Sequence, residues 1–359
     1  MNNVYTYSPL DRVIWDTPSL EAIQNEIKRL NVKKIFIVSS STLSTKTDEI
    51  NKIINTLGKK FSGLFDNCIA HSPLENVIEC VKDVQKNSPD IIITIGGGTP
   101  IDTVKVVQLC YSLGISSVDE LKKISNKHQK IKSKIRQIAI PTTLSGGEYS
   151  TIGGAMDTKI QLKEKYTGDD ICPQVVILDP AITLHTPDWL WLSTAIRSVD
   201  HAVEGLCSNS TNPLIPPMAL NSLQLFGNSL RNTYKNRDDI VSRSLSQKAV
   251  WMIAKNLGNT PMGASHGIGY LLGSIGSVPH GHTSCVMLPA VLKWNESYNQ
   301  DKQKWIANAL GRPNLSASEA VGELISDLGL PTTLGEVGIR ESQWEKIAEY
   351  GLKHPTVQS

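Results

Sequence analysis

Three consecutive glycines give the strongest chemical signal in this sequence. They follow the apolar segment Asp90–Ile95 and precede Ile101–Leu109, which has the apolar spacing of a helix. Glycines let a backbone approach a pyrophosphate without a Cβ in the way, and the N–H groups and positive dipole at a helix start attract phosphate. The pattern predicts a dinucleotide site, with a ligand-free turn as the alternative, and it is not the GxGxxG of an ordinary Rossmann turn. The residues assigned to this site are Gly96, Gly97, Gly98, Thr99 and Asp102.

A second group of small polar residues follows another apolar segment, Arg136–Ile140. Thr142 and Thr143 come directly after this segment, and Ser145 precedes two further glycines. Because ligands of an open parallel sheet bind at the carboxyl ends of its strands, we expect these hydroxyls at the same sheet edge as the three glycines. Alone, this group is equally typical of a capped turn. The two groups together favour a dinucleotide site.

Three of the eight histidines lie in polar or glycine-rich surroundings in the second half of the chain. His201 stands in DHAVE, His266 in ASHGIG and His280 in PHGH. Imidazoles from separate helices that converge in a cleft can bind a divalent metal or shuttle a proton. The alternative for each is an ordinary histidine of the core or the surface.

The predicted secondary structure around these residues differs between the first and the second half of the chain. Short apolar runs that alternate with helical patterns predict a parallel sheet covered on both faces. Thr45–Leu57 is predicted as one of the helices of this part. The predicted strands are Lys34–Val38, Asp90–Ile95, Arg136–Ile140 and Val175–Leu178.

After about residue 183, helical patterns punctuated by proline and glycine replace the strands. We therefore predict an α/β domain over residues 1–182 and an all-helical domain over residues 183–359, with a ligand in the cleft between them. The predicted helices are Pro187–Ser208, Pro217–Tyr234, Ile240–Leu257, Ser284–Tyr298, Ala317–Leu328 and Glu341–Gly351.

Composition narrows the class of protein. Hydrophobic residues make up 40% and charged residues 19% of the 359 residues, as in ordinary globular proteins. The formal net charge of +2 favours neither nucleic acid nor a membrane surface as a partner, and we expect a small-molecule substrate. The start of the chain lacks a secretory signal, and no apolar run reaches 18 residues. Six scattered cysteines predict reduced thiols in a cytoplasmic protein.

Five segments in a fixed order carry a resemblance to a known family. They are Gly96–Thr99 with Asp102 and Lys105, Thr142–Glu148, His201–Glu204, Pro279–Gly281, and Leu288-Pro289. Together they resemble the iron-containing (group III) alcohol dehydrogenase superfamily over nearly the whole chain. The second segment is most similar to the maleylacetate reductase branch. The resemblance implies a dehydroquinate synthase-like fold with an N-terminal dinucleotide-binding domain and a helical C-terminal domain. It also implies NAD(P)-dependent carbonyl–alcohol chemistry and a homodimer.

Three positions depart from the family pattern. The family holds its metal with one Asp and three His; His201, His266 and His280 fall on the histidine positions, but Arg197 replaces the Asp. Tyr270 stands where the family commonly has a histidine associated with proton relay. Ser40 stands where many members place an Asp on the ribose 2′-hydroxyl, so the cofactor is NAD or NADP, with the 2′-phosphate tolerated.

The presence of Arg197 in place of the family's Asp argues against the binding of iron or zinc at this site. Residues four apart share a helix face, so Arg197 points where His201 points. A guanidinium about 4 Å from a divalent ion would repel it by about 8 kcal/mol at an effective dielectric of about 20. We therefore expect no tightly bound metal; any metal that does bind would use His201, His266 and His280. The alternative is that Arg197 makes a surface ion pair with Asp200 or Glu204 and a weak metal still binds.

The sequence thus predicts an NAD(P)H-dependent reductase of a small carbonyl compound, with or without a carboxylate, in the maleylacetate reductase-like branch. Arg197 would hold a substrate carboxylate or polarise its carbonyl, and His201, His266, Tyr270 and His280 complete the predicted catalytic set. One rival is a non-redox enzyme on the same fold, which catalyses a condensation, cyclisation or isomerisation after loss of the metal. The other rival is a catalytically inactive binding or scaffolding protein. The retained histidines argue against it, because such a protein does not require them.

Overall fold

A six-stranded parallel sheet forms the centre of the first of two units, Thr6–His185, in the computed structural model. The structure describes residues 4–160 and 162–358. The strands run in the order β1-β9-β6-β4-β2-β3, and a small sheet has the order β5-β8-β7. The strands are β1 Arg12–Trp15, β2 Ile35–Ser39, β3 Phe61–Phe65, β4 Ile91–Gly96, β5 His128–Gln129, β6 Arg136–Pro141, β7 Ile152–Asp157, β8 Leu162–Gly168 and β9 Val175–Leu178.

Helices accompany the strands and cover the main sheet. Alternate residues of β4 enter two separate apolar clusters: Ile92 packs with one, and Ile91, Ile93 and Ile95 pack with the other. This two-sided burial is the reason that the central strands are continuous apolar runs. The helices of this unit are α1 Ser19–Arg29, α2 Ser41–Lys46, α3 Glu49–Leu57, α4 Leu74–Asn87, α5 Gly98–Leu113 and α6 Val118–Lys123.

The four predicted strands all belong to the main sheet, which confirms the predicted α/β fold class. The single helix predicted over Thr45–Leu57 is wrong. Thr47 has an extended backbone there, and it separates α2 from α3. The antiparallel pair β7–β8 was also not predicted.

The second unit contains the residues from Thr186 onward, together with Val4 and Tyr5. The Tyr5 hydroxyl donates hydrogen bonds to the carbonyl oxygen of Lys255 and to Asn256 Oδ1. Among the described residues of this unit, all regular elements are helical, as predicted. They are α7 Asp188–Cys207, α8 Ile215–Lys235, α9 Ile240–Ala254, α10 Ala264–Gly276, α11 His280–Trp294, α12 Gln300–Ala309, α13 Ala317–Asp327, α14 Trp344–Leu352 and α15 Pro355–Gln358.

The helices of this unit differ in detail from the predicted ones. The helix expected at Ser284–Tyr298 begins four residues earlier, so that His280 is the first residue of α11. The helices α10, α12 and α15 were not predicted. In the described parts of the chain, no helix is both long and apolar enough to cross a membrane.

Candidate functional site

The three glycines form the junction between β4 and α5. Gly96 ends the strand with a φ of 150°, which favours glycine, and its carbonyl oxygen accepts a hydrogen bond from the Thr142 N–H at 2.9 Å. Gly97 is the N-cap residue, and no side chain caps the helix. Because Gly97 has no side chain that could cap this 16-residue helix, the N–H groups and the positive dipole at the helix start fit a phosphate ligand.

The second predicted group lies directly against this turn. A Cβ added at Gly97 would stand 2.9 Å from Thr143 Cγ2, and one added at Gly98 would stand 3.2 Å from Ser145 Oγ. Thr142 and Thr143 are buried. The structure thus brings the glycines and hydroxyls of the two groups together at the carboxyl end of the sheet, as the sequence predicts.

Ser40 and Thr99 both lie just beyond the ends of two neighbouring strands, β2 and β4. Ser40 follows β2 and precedes α2, and its side chain makes no capping hydrogen bond. The adjacent Ser39 hydroxyl donates to the Ile95 carbonyl oxygen at 3.0 Å, which ties the ends of β2 and β4 together. Thr99 lies in the first turn of α5, and its carbonyl oxygen accepts from the Ser72 hydroxyl.

Asp102 contacts other parts of this unit through both carboxylate oxygens. One oxygen lies 3.4 Å from Lys105 Nζ, and the other accepts from the Gly154 N–H at 3.3 Å. The fully buried Lys105 ammonium also donates to the carbonyl oxygens of Gly147 and Ile152. These contacts fasten α5 to the loop that carries the second group. The Asp-x-x-Lys pattern in the sequence carried the signal for Lys105, but not for this fastening role.

Glu148 is buried near the contacts that Lys105 makes with this loop. Burial raises the pKa of its carboxyl group to about 7, although the Lys105 charge opposes the shift. Its Oε2 has no hydrogen-bond partner among the described residues. Burial is therefore the main influence on the protonation state of this carboxyl group.

Arg197 belongs to α7, in the second unit, and it is buried there. Its Nη1 donates to Ser284 Oγ at 3.1 Å and lies 4.0 Å from Asp200 Oδ2. The guanidinium carbon lies 5.6 Å from the ring centroid of Tyr270. The alternative of a surface ion pair is correct in one part only: Arg197 lies at ion-pair distance from Asp200, but both side chains are buried and not at the surface.

Asp200, Glu204 and His266 form a buried hydrogen-bonded cluster. His266 Nδ1 lies 2.7 Å from Glu204 Oε2 and 3.3 Å from Asp200 Oδ2. Glu204 also accepts from the N–H groups of Gly263 and Ser265. Asp200 accepts from the hydroxyls of Ser265 and Ser284. The sequence analysis did not assign a site role to either carboxylate, although their four-residue spacing on α7 was a usable signal.

Charges in this cluster shift its pKa values. Burial raises the pKa of Asp200, but the charges of His266 and Arg197 and its hydrogen bonds lower it to about 2. Burial and the Arg197 charge lower the pKa of His266, and the two carboxylates reverse the effect and raise it. The cluster thus combines a firmly ionised carboxylate with an imidazole whose positive charge is stabilised.

His201 lies next to this cluster as a neutral ring. Burial lowers its pKa well below the usual range, and the charges of His266 and Arg197 lower it further. The rings of His201 and His266 stack, with centroids 4.9 Å apart. Within the described residues, His201 Nδ1 and His266 Nε2 are buried and have no hydrogen-bond partner. These two atoms are therefore available to a polar ligand.

Tyr270 and His280 complete the predicted set in the second unit. Tyr270 lies on α10 and is 44% exposed. Its ring centroid lies 6.3 Å from that of His280, at an edge-to-face angle of 85°. The structure therefore brings Arg197, Tyr270 and His280 together, and Arg197 links them to Asp200 and His266.

Comparison with known proteins identifies the family. Residues 11–180 match the family described as iron-containing alcohol dehydrogenase, and residues 192–358 match its C-terminal domain. The dehydrogenase ALT3 of Alternaria alternata is 34% identical over 358 residues, which cover 89% of this chain and 92% of the relative. The chain belongs to the iron-containing alcohol dehydrogenase family.

Other members of the iron-containing alcohol dehydrogenase family support the predicted branch. A maleylacetate reductase of Burkholderia cepacia is 27% identical, with 99% of this chain and 93% of the relative covered. The crystal structure of sulfoacetaldehyde reductase from Bifidobacterium kashiwanohense in complex with NAD+ has the same fold, with a TM-score of 0.88 and 20% identity over 99% of this chain and 94% of that one. The maleylacetate reductase-like prediction is confirmed, and this chain is an oxidoreductase of the family.

Members of this family are named for a bound iron ion, and this chain has a buried group of side chains that could bind a divalent metal. The possible ligand atoms of Asp200, Glu204 and His266 lie within 4.8 Å of one another; His201 and His280 are not part of this group. However, the carboxylates already accept hydrogen bonds from His266 Nδ1 and from their other donors. The Arg197 guanidinium adds a fixed positive charge beside Asp200. Asp200 Oδ1 and His266 Nε2 remain buried without a hydrogen-bond partner among the described residues, so each of these side chains still has an atom that could bind a ligand.

Proposed function

We propose that this protein is an NAD(P)H-dependent reductase of a small carbonyl compound and that it works without a resident divalent metal. The observation that carries this proposal is the buried guanidinium of Arg197 among Tyr270, Ser284 and the imidazole cluster. A fixed positive charge with N–H donors stabilises the negative charge that develops on a carbonyl oxygen during reduction.

The cofactor-binding part of the proposal rests on the first unit. The turn Gly96–Gly98 and the uncapped start of α5 would hold the pyrophosphate, with Thr142, Thr143 and Ser145 beside it. A bound reduced nicotinamide would supply the hydride. Lys105 and Asp102 would keep the two loops of this site together.

The substrate-binding part rests on the second unit. Arg197 would donate to the substrate carbonyl oxygen or to a carboxylate next to it. His266 Nε2, which is buried without a partner among the described residues, would donate or accept a hydrogen bond on the same substrate. Tyr270 would deliver the proton to the developing alkoxide, with His280 against its ring.

A substrate screen tests the proposed reaction. Purified protein is incubated with NADH or NADPH and a panel of aldehydes, ketones and oxo acids, and the absorbance of the reduced cofactor is followed. We expect oxidation of the cofactor with at least one carbonyl compound, in a one-to-one ratio with the alcohol formed. Conversion of a compound from the panel without any cofactor turnover would instead favour a condensation, cyclisation or isomerisation and would refute the reductase.

Metal analysis tests the absence of a resident ion. We expect protein purified without chelator to contain far less than one equivalent of iron or zinc and to keep its activity after chelation, because Arg197 disfavours a divalent charge. In the variant Arg197→Asp, which restores the acid of the family pattern, we expect zinc affinity measured by calorimetry to increase. Stoichiometric metal in the unmodified protein, with activity lost on its removal, would show that the proposal misassigns Arg197.

Cofactor titration tests the role of Ser40. We expect the dissociation constants of NADH and NADPH, measured by fluorescence, to differ by less than about 100-fold, because a serine hydroxyl does not repel the 2′-phosphate. Ser40→Asp is expected to weaken NADPH selectively. Thr45→Asp, at an exposed position of α2, is the matched control for added charge. A strong preference of the unmodified protein for NADH would contradict the prediction.

A further inference from the structure

The segment His354–Val357 lies against α10 at Gly267, next to two residues of the proposed substrate site. A Cβ added at Gly267 would stand 2.8 Å from Val357 Cγ2 and 3.1 Å from His354 Nδ1, and closer still to Thr356 Oγ1. Gly267 directly follows His266 and lies three residues before Tyr270. The close approach therefore occurs where α10 carries the site residues, and it depends on the absence of a side chain at position 267.

Local hydrogen bonds give this segment a defined conformation. The His354 N–H donates to the Gly351 carbonyl oxygen at the end of α14, and the Val357 N–H donates to the His354 carbonyl oxygen, both at 2.9 Å. The imidazole Nδ1 of His354 lies 2.7 Å from the Thr356 hydroxyl. These bonds fix the orientation of the His354 ring.

The His354 ring contacts the residue to which we assign proton delivery. Its centroid lies 6.2 Å from that of Tyr270, at an interplanar angle of 38°. Arg197 and His280 contact the same Tyr270 ring, at 5.6 Å and 6.3 Å. Tyr270 is 44% exposed, so a large part of its side chain is not covered by protein in the described parts of the chain.

We propose that the segment His354–Val357 forms a wall of the substrate site and that His354 is a positioning residue for Tyr270. The inference rests on the proposed function, in which the Tyr270 hydroxyl delivers the proton. A proton donor must lie within hydrogen-bond reach of the reacting oxygen, and a displacement of about 1 Å costs about 100-fold in rate. Packing of the His354 ring against Tyr270 limits the rotation of the side chain about its Cα–Cβ bond and thereby keeps the hydroxyl in reach.

Hydrogen exchange tests the wall in the full-length protein, whether or not a substrate is known. In Gly267→Ala, we expect the backbone N–H groups of Lys353, His354, Thr356 and Val357 to exchange faster than in the unmodified protein, because the added methyl displaces the segment. Alanine has a higher helix propensity than glycine, so the change does not weaken α10 itself. Gly322→Ala, in the middle of α13, is the matched control, because a Cβ there meets nothing within 4 Å. Unchanged exchange rates in Gly267→Ala would refute the proposal that this segment packs against α10 as a wall of the site.

Kinetics test the positioning role. We expect His354→Ala to lower kcat by about 10- to 100-fold with little change in KM or in cofactor affinity, because only the placement of the proton donor is lost. His354→Phe keeps an aromatic ring against Tyr270 and should recover most of kcat. A purely structural role would instead lower the melting temperature of His354→Ala at constant kcat.

The two tests separate this inference from the proposed function. If the unmodified protein reduces a carbonyl compound and His354→Ala reduces it equally fast, the positioning role is overturned and the reductase stands. If the unmodified protein converts a carbonyl compound without cofactor turnover, the reductase and the positioning role are both overturned. Hydrogen exchange still decides independently whether the segment lies against Gly267.

Discussion

Replacing Arg197 with methionine is expected to lower kcat for carbonyl reduction by about 100- to 1000-fold, the usual effect of removing a donor to a developing oxyanion. Methionine keeps much of the volume of the buried side chain but removes its charge and all its N–H groups. The affinity for the reduced cofactor should not change, because the residues assigned to the pyrophosphate belong to the first unit. Steady-state kinetics and a cofactor titration measure the two quantities.

Folding of Arg197→Met is expected to survive, because Asp200 keeps its hydrogen bonds from Ser265 and Ser284 and its contact with His266. Arg312→Met is a control for the loss of an arginine, since Arg312 lies at the surface and pairs with Glu323. A large increase in KM at constant kcat would contradict charge stabilisation in the transition state. It would assign Arg197 to a substrate carboxylate that is bound equally in the ground and transition states.

The sequence predicted the central strands because they are buried on both faces. Ile91–Ile95 is apolar except for Thr94, and the strands β2, β6 and β9 are likewise buried along nearly all their length. The edge strands β1 and β3 are mostly half-buried, so their sequences lack such runs and were missed. Prediction from apolar runs therefore recovered the middle of the sheet and lost its two edges.

The helix α10 was missed for a different reason. Its sequence contains four glycines, which have a low helix propensity, and so local preference argues against a helix there. In the structure, close packing explains two of them. A Cβ at Gly269 would stand 3.0 Å from Thr283 Oγ1 of α11, and Gly267 lies against His354–Val357. Tertiary contacts outweigh local propensity here, and a single sequence does not reveal such contacts.

The two parts of the candidate site were predictable to different degrees. Gly97 and Thr143 both follow sheet strands, so parallel-sheet geometry alone predicts that they meet. The cluster around His266 joins residues about sixty positions apart, and Glu204 and Ser265 are separated by 61 positions. Spacing on one helix does not predict which carboxylate meets an imidazole on another. The sequence therefore suggested the histidines as candidates but not the carboxylates that surround one of them.

Replacing Gly97 with valine is expected to weaken cofactor binding by at least about 100-fold, or about 3 kcal/mol. Gly97 has a φ of −81° and an extended backbone, so a side chain there introduces no backbone strain. The new Cβ would stand 2.9 Å from Thr143 Cγ2, and the valine methyl groups must displace that side chain or extend toward the start of α5. Either change removes the close approach that a pyrophosphate needs. Fluorescence titration with NADH and NADPH measures the loss.

Gly335→Val is the matched control for the general effect of a glycine-to-valine change on cofactor affinity. A Cβ at Gly335 meets nothing within 4 Å, and this residue lies in the other unit. Gly97→Ala should show a smaller loss. If displacement of Thr143 causes the loss of cofactor affinity, adding Thr143→Ser to Gly97→Val should restore part of that affinity, because it removes the closest methyl group. Circular dichroism and the melting temperature confirm that each variant folds. If folded Gly97→Val binds both cofactors as tightly as the unmodified protein, the pyrophosphate lies elsewhere, and the assignment of the β4–α5 turn is wrong.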